Sequence, residues 1–527
     1  TYVGELYFTA HRGTYTSQAK IKYNNRKSEL LMQQLELWNA LNMVKGAAYP
    51  AEQLEQLWKT VLLHQFHDIL PGSCIARVYE EAEKTFHQFF AEGKALLEET
   101  IGEMTGEIGY SVWNSLGFAR QAVVTLPEAF AEGVLVDGTP VPVTASKDGW
   151  QAVIDLPACG AANLRPAVVT APAKRAVLIS IPSGYLMEND FLQAKINRKG
   201  EIVSLCLKQE GREREFAAEP MNRFHLYKDV PRRYDAWDID SNYVDQEIFS
   251  AHEVDSMQIV QSSGSRVCLR VNGRIDASSY VQDITLDACG KRVEFDTTVQ
   301  WSEQHRLLKV AFPVDVYAEN GINEMQFGYV QRPTHRSRAY DRDRFEVCNH
   351  RYSALCDGSH GAALLNDCKY GISMNGNALE LTLLRGATAP DRHADQGEHH
   401  FVYAITAWEG SFFDSDVVKQ GYELNVKPVA VASGVKGFSA FSVDSANVIL
   451  ESVKAAEDGS GDLILRLYES KKADTMAEVQ FGLDVLGRAV RKVSRCNMME
   501  ESEEVVSTDG RSVSVHFRPF EIMTLRV

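Results

Sequence analysis

His64-Gln65-Phe66-His67-Asp68-Ile69-Leu70-Pro71-Gly72-Ser73 marks the place where a helix in this chain must stop and the backbone must reverse. Pro71 has no amide hydrogen and disfavours a helical residue before it, and Gly72 accepts backbone angles that other residues avoid. Upstream, Leu54, Leu57, Val61 and Leu62 recur at three- and four-residue steps, which predicts a helix over 51–66 with Pro50 presetting its first turn. Leu30, Leu31, Leu35, Trp38 and Leu41 keep the same period and predict an earlier helix from about residue 25. A third helix is predicted over about 75–105. Short connections make such helices antiparallel neighbours, so residues 25–106 read as a three-helix bundle whose Leu/Trp stripe is core.

The His67-Asp68 pair in this stretch has two readings. A helix end can aim an imidazole into a cleft, where a ring nitrogen ligates zinc and the adjacent carboxylate takes ligand hydroxyls. Alternatively, both residues cap the chain end. The helix dipole disfavours an aspartate there, which hints at use. His64, one turn earlier, is expected at the surface or behind the ligating residue.

After Gly106 the texture changes to short β-branched runs such as Ala122-Val-Val-Thr-Leu126, Val134-Leu-Val136 and Ala167-Val-Val-Thr170, punctuated by Gly, Pro and Asp. This continues to Val527 with hardly any long helical period, which argues for antiparallel sandwiches. The fold class expected is therefore α+β multidomain: a three-helix bundle, a small β domain over 107–172, a large β-sandwich over 173–430 and a final sandwich over 431–527. No internal repeat or low-complexity segment interrupts it.

The 527 residues exceed the roughly 250 at which a single core stops growing. Hydrophobic residues at 45% and charged residues at 24% are those of an ordinary globular protein. A net charge of −16 without a clustered basic stripe argues against nucleic acid as a partner. No run approaches the roughly 20 apolar residues of a membrane helix, so no membrane partner is expected. The nine cysteines are scattered and lack Cys-x-x-Cys spacing, which favours reduced thiols and a cytoplasmic location.

Two further polar segments could line a site. His11-Arg-Gly-Thr-Tyr-Thr-Ser-Gln18 offers His11, Arg12 and Tyr15 as sugar-lining candidates, or else forms a hydroxyl-rich turn. Arg232-Arg-Tyr-Asp-Ala-Trp-Asp-Ile-Asp240 sets Asp235 and Asp238 beside Trp237, and sugars bind in such company, or the segment is an exposed acidic loop. Pro390-Asp-Arg-His-Ala-Asp395 with His399 and His400 could pass for a metal cluster, but a solvated surface loop is the expectation.

The segments 65–73, 5–18 and 233–240, followed by Gln331-Arg-Pro-Thr-His-Arg336 with Phe345-Glu-Val-Cys348 and by Leu365-Asn-Asp-Cys-Lys-Tyr-Gly371, resemble in order the α-mannosidases of glycoside hydrolase family 38. The resemblance implies that His67 is a Zn2+ ligand and that Asp68 is the adjacent substrate-binding carboxylate. It implies a zinc-dependent retaining hydrolase of terminal α-mannosyl residues, acting on an α-mannoside. In that family the nucleophile, the acid/base and the other metal ligands lie on an N-terminal α/β domain of the same polypeptide. Residues 1–24 would then be the tail end of that domain, with 4–9 its last strand, and no catalytic residue would lie in this chain. Asp235 and Asp238 are rejected as nucleophile and acid on the same ground. The chain alone would be inactive, and homo-oligomerisation stays open. The alternative function is a non-catalytic carbohydrate-binding or scaffold β-sandwich protein, and a structural partner protein is a third.

Overall fold

The computed structural model describes residues 5, 10–209, 212–487 and 489–527, so most of the strand expected over 4–9 lies outside the described residues. Three helices come first, α1 (Ala19–Val44), α2 (Ala51–His64) and α3 (Ala76–Met104), packed on one another. α2 and α3 each bury one face, through Leu54, Leu57 and Val61 and through Phe86, Phe89, Leu96 and Leu97. That is the amphipathic pattern of a bundle helix.

α1 departs from the expectation in two ways. It starts at Ala19 rather than near residue 25, because both carboxylate oxygens of Asp395 accept the amides of Gln18 (2.8 Å) and Ala19 (2.6 Å) at its first turn. It also has no solvent face: Lys22, Asn25, Arg26, Asn39 and Asn42 are buried along with the Leu/Trp stripe. The cause is that β units cover its other sides. Leu31, Leu35, Trp38 and Leu41 share one core with Val448, Leu450, Leu465 and Leu467 of the C-terminal sandwich. Leu30 joins Leu116, Phe118, Tyr422 and Ile449 in another.

The strands pair antiparallel. A nine-stranded sheet, including 266–275, 278–287, 292–301 and 397–409, lies against a five-stranded sheet that includes 223–228, 306–313 and 378–385. Phe295, Tyr403 and Ile405 from one face Leu308, Phe312 and Leu381 from the other in the largest core. The small β unit around 110–166 is completed by strands from far along the chain. Trp113 pairs with Val429, and Ala161 pairs with Phe438. The chain thus returns to this unit before entering the C-terminal sandwich of 441–526. The β region also contains a helix, α4 (Val417–Asn425), which the β-branched texture does not announce; Val417, Val418, Tyr422 and Leu424 bury its apolar face.

Several motif residues weld these layers together. Arg332 donates to Glu5 (2.6 and 2.8 Å), Asn323 (2.7 Å) and the carbonyl of Cys348 (2.8 Å). Lys309 and Glu346 form a fully buried ion pair at 2.5 Å, and Lys27 reaches Asp367 at 2.9 Å. No helix among the described residues is long and apolar enough to cross a membrane.

Candidate functional site

The turn after α2 carries the leading candidates. The helix ends at His64, two residues earlier than predicted, and 65–73 continues as hydrogen-bonded turns: the amides of Ile69 and Leu70 bond to Phe66 O, and that of Ser73 to Asp68 O. His64 is buried rather than superficial, its Nδ1 2.7 Å from Thr60 O and its ring 4.5 Å from that of Phe86. His67 is the opposite case, with 78% of its side chain exposed. Its ring lies 4.2 Å from that of Phe66, and its Nε2 lies 3.5 Å from Asp68 Oδ2. Ser73 Oγ donates to Asp68 Oδ1 at 3.2 Å, which leaves the carboxylate oriented yet half-exposed. Leu62, Leu63 and Phe66 stand exposed beside this turn.

The turn is fixed from behind by the loop over 11–18. Gly72, at φ +89°, lies so near Ser17 that a Cβ there would be 2.3 Å from Ser17 O. The buried Lys22 ammonium donates to Leu70 O (2.8 Å) and to Ser17 O, tying both segments together. Burial drives its affinity for the proton down, partly opposed by Asp395, and burial raises Asp395 in turn.

The same loop reaches the large β unit. Gly13 N donates to Trp237 O (2.9 Å), Ser17 Oγ to Ala236 O (2.6 Å), and Gln18 Nε2 to Asp391 (2.9 Å). Arg385 staples these loops: its guanidinium, 0% exposed, donates to Asp229 (2.7 and 2.9 Å), Ser17 Oγ (3.1 Å), Ala236 O (3.2 Å) and Asp238 O (2.9 Å). Burial raises the Asp229 carboxyl and Arg385 opposes the rise.

The structure brings Arg12, Trp237 and Asp238 together. Arg12 is buried, with Nη1 3.7 Å from Asp238 Oδ1, its guanidinium hydrogen-bonded to Asp343 O and 4.4 Å from the Phe345 ring. Trp237 is half-buried on Ala236, Ala387 and Ala394. Asp235 Oδ2 accepts from Thr388 N (2.7 Å) and lies 3.2 Å from His305 Nε2, while its buried Oδ1 has no hydrogen-bond partner among the described residues. His11 is exposed at φ +74°, and Tyr15 is half-buried. Arg12, Asp235 and Asp238 thus shape the wall of the loop cluster, whereas His11, His67, Asp68 and the outer part of Trp237 reach its surface.

The 390–395 segment is not the expected solvated loop. Asp391 and Asp395 are buried because they receive Gln18 and the start of α1. His399 is buried with Nε2 2.7 Å from Asp395 O, and His400 pairs with Asp296 at 2.7 Å. Among the described residues no group of three or more His, Cys, Asp or Glu could hold a metal ion. A zinc site takes about four donors, so His67 with Asp68 suits a share of such a shell and not a whole one. Sequence reasoning missed Arg385, Lys22 and Thr388; no local signal distinguishes a buried staple from a surface cation, whereas Asp391 and Asp395 had stood out by composition.

Comparison with known proteins adds the following. Residues 9–104 match the alpha mannosidase middle domain, 187–393 the glycosyl hydrolases family 38 C-terminal domain and 447–525 the glycosyl hydrolases family 38 C-terminal beta sandwich domain. The chain is 33% identical over 545 residues to alpha-mannosidase 2C1 of Homo sapiens, covering 100% of this chain and 50% of that protein. It is 30% identical over 562 residues to an alpha-mannosidase of Saccharomyces cerevisiae, with 100% and 48% covered. The chain spans about half the length of the curated relatives it matches. An alpha-mannosidase crystal structure from Enterococcus faecalis V583 shares the fold, with a TM-score of 0.78 at 17% identity over 98% of this chain and 68% of that one.

Proposed function

Because this chain belongs to glycosyl hydrolase family 38, through its middle, C-terminal and β-sandwich domains, we propose that it is the C-terminal part of a zinc-dependent retaining α-mannosidase. The observation that carries the reading is the setting of His67 and Asp68: both are accessible on a turn whose backbone is clamped from behind by Lys22 and by Gly72 against Ser17. A side chain that completes a site built largely elsewhere needs that combination of exposure and rigid support.

His67 would supply one neutral imidazole donor to the zinc, with Asp68 orienting the ring. When bound, the ion would hold neighbouring sugar hydroxyls and favour ring distortion towards an oxocarbenium-like state. Asp68, fixed through Ser73, would accept a sugar hydroxyl, and the face of Trp237 with His11 would border the sugar. The nucleophile and the acid/base would come from an N-terminal domain of the same polypeptide, and the exposed Leu62, Leu63 and Phe66 suit a face that such a domain covers. The nine free cysteines support a reducing, cytoplasmic compartment.

The test is hydrolysis of an aryl α-mannoside by the complete polypeptide before and after chelation. Chelator-sensitive turnover that His67→Ala abolishes, and that Asp68→Asn cuts by about 100-fold or more, is expected. Undiminished turnover by the folded His67→Ala variant would refute the assignment.

A further inference from the structure

A cavity of about 720 Å³ lies between α1, α2 and the C-terminal sandwich. Its size is that of small-molecule sites. It is lined by Ala51, Leu54, Glu55 and Trp58 of α2, whereas His67 follows the C-terminal end of that helix. From Trp58 to His64 the helix rises about 9 Å, so the two sites are separate.

The wall chemistry narrows the ligand. Trp58 Nε1 donates to Glu36 Oε1 at 2.8 Å, which fixes the indole and leaves its face as what it offers. Glu451 accepts from Gln33 Nε2 (3.0 Å) and from the Tyr422 hydroxyl. Both carboxylates keep unused acceptor sites, since each offers about four. The cations are already matched: Lys454 pairs with Glu500 at 2.9 Å, and Arg466 lies 3.7 Å from the same carboxylate. Arg466 is partly exposed in this wall, and its Nη2 donates to Met498 O at 3.3 Å, so the guanidinium keeps further N–H donors.

An anion would add charge beside Glu36, Glu55, Glu451 and Glu457, whereas a cation would face Lys454 and Arg466 and find Glu457 and Glu55 already turned to Lys454 and Lys59. A neutral ligand rich in hydroxyls meets neither penalty: it donates to the carboxylates, accepts from the guanidinium and lays an apolar ring face on the indole. We propose that this inter-domain cavity is a binding site for a neutral saccharide, distinct from the His67 turn. The inference does not rest on the hydrolase reading and survives its failure.

The experiment is saturation-transfer NMR on the full 527-residue chain, with α-1,2-mannobiose and maltose as probes and inorganic phosphate and putrescine as charged comparators, each at about 10 mM. Binding of at least one disaccharide is expected. Trp58→Ala should weaken it about tenfold or more. Ala51→Trp, on the exposed rim, should block the cavity without touching the core and serves where Trp58→Ala fails to fold. Three results overturn the inference: no disaccharide bound, binding lost in His67→Ala but kept in Ala51→Trp, or phosphate or putrescine bound in place of the sugars.

Discussion

Replacing Arg385 with leucine tests whether one buried guanidinium holds the candidate loops in register. In the native chain Arg385 and Asp229 are 0% and 2% exposed, and the arginine also satisfies Ser17 Oγ and the carbonyls of Ala236 and Asp238. Removing it leaves a buried carboxylate without its counter-charge, which costs about 3–5 kcal/mol. That is a roughly 150- to 5,000-fold rise in local opening. Hydrogen exchange followed by mass spectrometry reads it directly, and the effect should be largest in peptides covering 11–18 and 229–240. The loss is also pH-dependent. Burial already raises the Asp229 carboxyl above its unfolded value near 4, and without Arg385 it rises further, so the penalty grows as pH climbs from about 4. The double variant Arg385→Leu with Asp229→Leu removes both charges and should recover a large part of the stability, because no unpaired charge remains. An Arg385→Leu effect below about fivefold, or a double variant as damaged as the sum of the singles, would refute the staple.

Three further outcomes follow from the geometry. Gly72→Ala forces a Cβ against Ser17 O at a φ of +89°, so exchange across 66–73 should rise while the β units stay unchanged; unaltered protection there would contradict the clamp. His399 is 4% exposed and burial pushes its imidazole down to about 3. The unfolded imidazole titrates near 6.5, so this contribution is complete above that pH and declines towards pH 3, by about 2 kcal/mol at pH 5. His399→Gln should flatten the acid limb of a stability-versus-pH curve, and an unchanged limb would show that other groups set it. The described residues contain no set of three metal-binding side chains, so equilibrium dialysis of this chain against about micromolar zinc should leave it substoichiometric; tight one-to-one retention would mean that the donor set is complete within it.

The helical period of residues 51–66 and 75–105, the stop at Pro71-Gly72 and the β-branched runs after Gly106 made the bundle-plus-sandwich class legible, because those signals act between residues a few positions apart. The same stop places His67-Asp68 on a turn at the edge of the helix, while the exposure of His67 and the burial of His64 came from the fold. What the tertiary structure alone decided is how that edge is held. Asp395 starts α1 from 376 residues away, Arg385 reaches Ser17 across 368, and strand Val429–Val431 returns to pair with Tyr110–Asn114. Arg12 and Asp238 had the composition of sugar-binding residues, yet they lie in the wall against each other. A residue buried by a partner hundreds of positions away has the same chemistry and the same sequence neighbours as one left in water. Only the folded chain, by removing water from one and not the other, makes the first a staple and leaves the second accessible.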